Sequence, residues 1–116
     1  MINPDLIEAR RKFWLPGYCT LADVDLDGDY VSPLQIISRS PTGPILLAYH
    51  WFDAKSARLH YTELREFGYC KGIIFNKVVD RALEKCGLTR ADVYMTQVFH
   101  LLPRTGRSSV ITRRDV

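Results

Sequence analysis

The chain has 116 residues and a formal net charge of +3, and 47% of its residues are hydrophobic while 25% are charged. This length provides one domain with one hydrophobic core, and so many apolar residues exclude an intrinsically disordered chain. No run approaches the roughly 18 apolar residues that a membrane span needs, and the first residues lack the basic and apolar segments of a signal peptide. We therefore expect a single cytoplasmic domain, residues 1–116, without a membrane partner.

The three cysteines, Cys19, Cys70 and Cys86, lie far apart in the sequence. An odd number without a CxxC pair argues against a disulfide scaffold and against a structural zinc site. Free cysteines are among the residues most often buried in folded proteins. We expect buried thiols, with no bound metal and no cofactor.

The N-terminal third of the chain predicts one helix and one hairpin. Residues 5–12 indicate a short helix, because Pro4 suits the first helical position and acidic residues occupy the early turns. Residues 18–26 and 30–38 are two runs rich in β-forming residues, and the pair Asp27-Gly28 between them is a strong turn signal. These two runs predict a β-hairpin.

The segment from Asp23 to Gly28 imitates the start of a calcium-binding EF-hand loop, with acids at the first, third and fifth ligand positions. However, Leu34 takes the twelfth position, where an EF-hand has a bidentate glutamate, and both flanks predict strands rather than helices. We expect these acids to face water in the hairpin turn.

The middle of the chain predicts a βαβ unit. Residues 45–49 form a short, continuously apolar run, typical of a strand buried on both faces, and residues 54–66 are partly helical in character. Apolar residues form a broad helical stripe over residues 73–86, followed by Gly87 in the position of a left-handed helix cap. Residues 92–99 predict a further strand. We expect an α/β fold with three layers and a short, mostly parallel sheet, built on this βαβ core and preceded by the β-hairpin.

Two segments lie where a ligand is expected to bind. In open α/β sheets, ligands bind beyond the carboxyl ends of the strands. One such end is followed by residues 49–53, which include His50 and Asp53, and the other closes with Gln97 and His100. These two segments are the predicted location of any chemistry.

Residues 87–103, which read G-L-T-R-A-D-V-Y-M-T-Q-V-F-H-L-L-P, resemble the uracil-DNA glycosylase superfamily. Many members read approximately G-L-D-R-E-E-V-Y-I-T-N-V-V-K-C-R-P at the same place. Residues 76–83 are similar to the family's L-L-D-R-x-L helix, and residues 44–48 to the buried strand that leads into its catalytic motif. The resemblance implies base excision in DNA repair, in which the enzyme hydrolyses the N-glycosidic bond of uracil, or of a related deaminated base, after flipping it out of DNA.

The resemblance implies which residues act in catalysis. The family has G-E-A-P-G or G-Q-D-P-Y after the strand, whereas residues 49–53 of this chain read Y-H-W-F-D. Direct registration places His50 on the acid of the first pattern, and Asp53 is the nearest carboxylate. A carboxylate there stabilises the oxocarbenium-like cation and positions the attacking water. His50 or His100 stabilises the departing uracil anion.

The resemblance also implies the base-binding residues. Phe67 follows Asp53 by 14 residues, close to the family's spacing, and either Phe67 or Tyr69 stacks on the flipped base. Gln97 falls on the asparagine that reads uracil, since one amide can both donate to and accept from a pyrimidine edge. His100 closes the same strand and belongs to the same pocket.

The C-terminal segment is predicted to contact DNA phosphates. From Arg104 onwards it holds four arginines and a single acid, Asp115, so that this segment carries the whole net charge of the chain. Arginine is favoured where a planar set of donors meets phosphate. The four arginines are Arg104, Arg107, Arg113 and Arg114.

Other interpretations remain open. A catalytically inactive module with the same half-fold would bind DNA or a protein through its arginines and an open sheet edge, and a metal-dependent hydrolase would use His50, Asp53 and His60. Leu101 stands where iron–sulfur members of the family place a cluster cysteine, so no cluster is expected. The sequence ends soon after the first half of the family's domain. We therefore expect either a fragment or a short derivative whose sheet is completed by a missing C-terminal segment or by self-association.

Overall fold

The computed structural model describes residues 4–49 and 51–104. These residues form four helices and four short strands, and 3₁₀ turns occupy residues 22–24, 33–36 and 90–92. The helices are α1 (Pro4–Lys12), α2 (Ala54–Leu59), α3 (Tyr61–Phe67) and α4 (Ile74–Lys85), and the strands are β1 (Tyr18–Cys19), β2 (Ile45–Ala48), β3 (Tyr94–Gln97) and β4 (Leu102–Pro103).

The predicted βαβ unit is confirmed. Strands β2 and β3 pair in parallel, with Ile45 opposite Tyr94 and Ala48 opposite Gln97, and α4 lies between them in the sequence. Antiparallel pairing of β1 with β4 forms a second small sheet. The described residues therefore form an α/β fold with one parallel and one antiparallel strand pair.

Local sequence determines where α4 ends. Gly87 adopts a positive φ of 72°, which a glycine reaches without steric cost. The amide of Leu88 donates to the carbonyl of Leu83 at 2.9 Å, and the amide of Gly87 donates to that of Glu84 at 3.0 Å. These two bonds form a Schellman cap, which confirms the helix end predicted at Gly87.

The predicted hairpin over residues 18–38 is wrong. Only Tyr18–Cys19 is a strand, and 3₁₀ turns follow at residues 22–24 and 33–36. Thr20 and Asp23 exchange side-chain to backbone bonds at 2.9 and 3.3 Å, and Ser32 forms a capping box with Gln35. Such short-range bonds satisfy the backbone inside turns, so the chain has no need of a strand partner here.

A buried arginine, Arg10, holds the loop at residues 27–31, where the hairpin turn was predicted. Arg10 of α1 donates to the Asp27 carboxylate at 2.7 Å, to the Tyr30 carbonyl at 2.8 Å and to the Val31 carbonyl at 3.1 Å. Burial alone would raise the pKa of Asp27, but the charges and hydrogen bonds of Arg10 and Arg11 hold it below its ordinary value. Asp27 is therefore an ion-pair partner within the fold, contrary to the expectation that it faces water.

The hydrophobic core has two main parts. One lies between the N-terminal loop and the helices α2 and α3, and the other lies between the parallel pair and α4. Trp51 packs against both parts, so it joins them. The first part includes Leu21, Val24, Leu26, Leu64 and Leu102, and the second includes Leu34, Leu46, Tyr69, Val79 and Met95.

Two apolar surfaces of the βαβ unit, one on β2 and one on α4, are more exposed than predicted. Strand β2 is not buried on both faces, because Ile45 is 71% and Leu47 64% exposed. On α4, Ile74 is 78% and Val78 62% exposed. The helix packs on the sheet through Val79, and consecutive helical residues point about 100° apart, so the stripe containing Val78 is turned away from the sheet.

No helix within residues 4–49 and 51–104 is both long enough and apolar enough to cross a membrane.

Candidate functional site

A cavity of about 510 Å³ opens at the carboxyl end of β2. Its walls come from the end of β2, from the segment that follows it and from the first turn of α4. This position is the one predicted for ligands in open α/β sheets. Aromatic residues are prominent in the lining, which includes Tyr49, Trp51, Phe52, Tyr69 and Phe75 together with the polar residue Asn76.

The aromatic walls are held in place by specific contacts. The Trp51 indole donates to the carbonyl of Gly68 at 2.9 Å, and its ring meets that of Phe52 edge to face with centroids 5.0 Å apart. Gly68 ends α3 with a φ of 79°. Because this left-handed residue reverses the chain, the next residue, Tyr69, turns into the cavity wall.

A buried arginine supports the floor of the cavity. The guanidinium of Arg90 lies 3.6 Å from the centroid of the Tyr69 ring and forms an ion pair with Asp80 at 2.6 Å. Burial raises the pKa of Tyr69, so its phenol is neutral at physiological pH. A cation over an aromatic face is attractive, and more so when both are removed from water.

Asp53, predicted to be catalytic, lies directly after the cavity-lining residue Phe52 and is half-buried. Its Oδ1 accepts a hydrogen bond from the amide of Ser56 at 2.6 Å, so Asp53 is the N-cap of α2. One carboxylate oxygen is therefore occupied by the cap. His50, the other predicted catalytic residue, lies outside the described residues.

Gln97, predicted to read the base, is buried at the end of β3 and is not among the residues that line the cavity. Its Oε1 accepts from the Ser32 hydroxyl at 2.8 Å, and its Nε2 donates to the Phe99 carbonyl at 3.2 Å. The amide thus joins the 3₁₀ turn at residues 33–36 to the end of the sheet, and it would have to exchange these bonds to contact a ligand.

His100 is half-buried after β3. Its Nδ1 is buried without a hydrogen-bond partner among the described residues. Burial, with a smaller contribution from the charge of Arg10, lowers the pKa of His100 to about 4. The imidazole is therefore neutral at physiological pH.

The structure separates the two aromatic residues predicted to stack on a base. Tyr69 lines the cavity. Phe67 packs against the core beside it, and the ammonium of Lys71 lies 3.8 Å from the centroid of its ring. Of the two, Tyr69 is the one with access to a ring inside the cavity.

Of the four arginines predicted to bind phosphate, only Arg104 falls within the part of the chain that the structure describes. Its side chain is exposed, and its carbonyl accepts from the amide of Lys55 at 3.2 Å. Lys55 is also exposed, so two cationic residues lie on neighbouring segments at the start of α2. Arg107, Arg113 and Arg114 lie outside the described residues.

The described residues show no ligand set for a metal-dependent hydrolase, and His50, one of its three predicted ligands, lies outside them. Within residues 4–49 and 51–104, no group of three or more His, Cys, Asp or Glu side chains could hold a metal ion. His60 is exposed at the junction of α2 and α3. The expected burial of the cysteines is confirmed for Cys19 and Cys70 but is wrong for Cys86, which is exposed at the end of α4.

Asn76 and Arg90 are site residues that the sequence reasoning did not find. Both fall in segments that carry the family resemblance, residues 76–83 and 87–103, but the resemblance implied no role for either. They are separated by 14 residues. The positions of Trp51 and Phe52 in the site were predictable from the sequence, because both lie in the segment that follows the carboxyl end of a strand. Nothing in the local pattern distinguishes Asn76 from an ordinary polar residue of a helix.

The fold and the site define a class: an α/β domain with an aromatic pocket at the carboxyl end of a parallel strand pair. No family model, no curated protein and no solved structure matches this chain. The relationship to the uracil-DNA glycosylase superfamily therefore stays a prediction from the sequence.

Proposed function

We propose that this chain is a uracil-DNA glycosylase-like N-glycosidase, which receives a flipped uracil, or a related deaminated base, in the aromatic cavity at the end of β2. The aromatic cavity itself is the observation that carries the proposal. Its volume of about 510 Å³ falls in the range of about 300–1,000 Å³ typical of small-molecule sites. A flat, uncharged heterocycle is the kind of ligand that such walls favour.

The energetics of base flipping support an aromatic pocket. Extruding a nucleotide from a duplex costs a few kcal/mol, whereas stacking one base on an aromatic side chain contributes about 1–3 kcal/mol. Tyr69, Trp51 and Phe52 provide several such surfaces in one cavity. Single-stranded DNA avoids most of the flipping cost, so we expect it to be the better substrate.

The first turn of α4 supports the departure of an anionic base. Ile73 and Asn76 line the cavity, and the N-cap residue, Ile73, has an apolar side chain that cannot cap the helix. The N-terminus of a helix carries a partial charge of roughly +0.5 and stabilises nearby anions. When the glycosidic bond breaks, its electron pair stays on the ring nitrogen of the base, and this end of α4 offsets the negative charge.

Asp53 and His50 complete the proposed mechanism. The Oδ1 of Asp53 is bonded to Ser56, which leaves Oδ2 to stabilise the sugar cation and to orient the water that adds to its C1′ carbon. His50 belongs to the same segment, and the neutral His100 and Gln97 are proposed to contact the base. Phosphates on either side of the flipped nucleotide are proposed to meet the arginines of the C-terminal segment, with Lys55 beside Arg104.

The test is an excision assay on the purified chain. Single- and double-stranded oligonucleotides containing one uracil are incubated with the protein, treated with alkali and resolved by size, and matched oligonucleotides with thymine serve as controls. Cleavage at uracil alone is the expected result. No cleavage together with no binding would overturn the proposal.

A second candidate function is a catalytically inactive module that binds DNA or a protein. The internal bonds of Asp53 and Gln97 favour it, as does the exposed apolar face that includes Ile45 and Leu47. Under either proposed function, a third layer covers this face of β2. A further segment of the chain or a second copy supplies that layer. Binding of uracil-containing DNA without cleavage is the outcome expected for this module.

A further inference from the structure

Asn76, whose side chain ends in a carboxamide, is one of the residues that line the cavity. The residue is only 6% exposed, and it lies in the first turn of α4. Its Nδ2 donates to the carbonyl of Cys70 at 2.9 Å, and its Oδ1 accepts from Nη2 of Arg90 at 3.0 Å. The two ends of the amide are therefore held by different partners.

These partners determine which way the amide faces. A guanidinium can only donate and a backbone carbonyl can only accept, so rotating the amide of Asn76 by half a turn would break both bonds. An amide group has two N–H donors and two acceptor positions on its oxygen. The bonds to Cys70 and Arg90 use one of each, so one donor and one acceptor of this amide have no partner among the described residues.

Arg90 is itself firmly held. It is 6% exposed, forms the ion pair with Asp80, and lies against the ring of Tyr69. A buried charge cannot leave its partners without a large desolvation penalty. The orientation of Asn76 is consequently fixed before any ligand arrives.

We infer that Asn76 is the specificity-determining residue that reads the hydrogen-bonding edge of a ring bound in the cavity, and that Arg90 is the positioning residue that fixes its orientation. The inference rests on the proposed function. Uracil presents carbonyl acceptors on either side of an N–H donor, whereas cytosine presents an amino donor beside a ring acceptor. Stacking sets the plane of the ring, and the sugar sets its point of attachment. An amide of fixed orientation can therefore match the order of donors and acceptors on the edge of uracil but not the order on the edge of cytosine.

The experiment measures binding of two single-stranded oligonucleotides, which are identical except for one deoxyuridine or one deoxycytidine, by fluorescence anisotropy on the full chain. We expect the wild-type protein to prefer uracil by about tenfold, as is common for a paired donor and acceptor. Asn76→Asp keeps the size of the side chain and an acceptor for Arg90 but removes the N–H donors. The preference should then fall below about twofold, whatever happens to overall affinity.

Arg90→Lys tests the positioning role. Lysine retains the charge that pairs with Asp80 but lacks the planar group that reaches Asn76 and stacks on Tyr69 at once. We expect this variant to bind both oligonucleotides with nearly equal affinity, because a free amide turns to suit either base. Lys77→Gln, on the exposed side of the same helix, is the matched control and should keep the wild-type preference.

Thermal unfolding confirms that each variant is folded, and Asn76→Asp decides the matter if Arg90→Lys does not fold. A wild-type preference that Asn76→Asp keeps would overturn the inference alone. A wild-type protein that binds neither oligonucleotide would overturn the proposed function, and the inference with it.

Discussion

Asp53 combines a structural role with a proposed catalytic one, and a single substitution separates them. As the N-cap of α2, its Oδ1 accepts from the Ser56 amide at 2.6 Å. Asparagine caps a helix about as well as aspartate. Asp53→Asn should therefore keep the free energy of unfolding within about 0.5 kcal/mol of the wild-type value, while it removes the negative charge.

The expected loss of activity follows from the role of that charge. A preorganised group that faces a developing charge contributes about 2–4 kcal/mol to the transition state, which corresponds to about a thirtyfold to a thousandfold change in rate. We expect Asp53→Asn to reduce the single-turnover rate of uracil excision by that factor. Urea unfolding of the same samples measures the stability.

Asp53→Ala is the companion variant. Alanine removes both the cap and the charge, and the loss of an N-cap costs about 1 kcal/mol. For a domain of this size, such a loss lowers the midpoint of thermal unfolding by about 4 °C. Its excision rate should match that of Asp53→Asn once the folded fraction is taken into account.

Full excision activity in a folded Asp53→Asn protein would refute the catalytic role of this carboxylate. It would leave Asp53 as a cap only and direct attention to His50. A loss of activity in both variants that disappears once the folded fraction is taken into account would show instead that the cap accounts for the whole effect.

Three further predictions concern stability and reactivity. Gly68→Ala should destabilise the fold strongly, because a Cβ there would clash with a backbone carbonyl of the 3₁₀ turn at residues 33–36. Gly87 has open space around it, so Gly87→Ala should cost only about 1–2 kcal/mol, for placing alanine in a left-handed backbone conformation. Urea unfolding of the two variants compares these losses of stability. Burial, with a contribution from Glu63, raises the pKa of the Cys70 thiol to about 11, so iodoacetamide at pH 8 should label the exposed Cys86 first, and equally rapid labelling of Cys70 in mass spectra would contradict its buried position. The pKa of His100, lowered to about 4 by burial and then by Arg10, means that below pH 6.5 the folded state binds fewer protons than the unfolded state. Stability should therefore fall as the pH drops from about 6.5 to about 4, and the same slope in His100→Gln would argue against this origin.

Local patterns in the sequence were sufficient for several elements. Helix α4 was predictable because its apolar spacing and the glycine after it act within a few residues. The parallel pair followed from two β-prone runs separated by a helix. The hairpin prediction failed at residues 18–38, although Ser32-Pro33-Leu34-Gln35 carries a capping-box signal that favours a turn over a strand. The β-forming residues of the same run favour a strand, but this propensity is weaker than the local bonds of the turn.

The sequence by itself determined the helices, the parallel pair and the edge of the sheet where a ligand is expected, because each depends on the periodicity or the caps of a short segment. Only the tertiary structure decided which side chains occupy that edge. Gln97, expected to face a ligand, bonds to Ser32, which lies 65 residues away, whereas Asn76, for which no role was expected, lines the cavity with its amide held by Arg90 and Cys70. Such partners meet through packing between distant segments, and no local spacing encodes which polar group will be satisfied inside the protein and which will line the cavity.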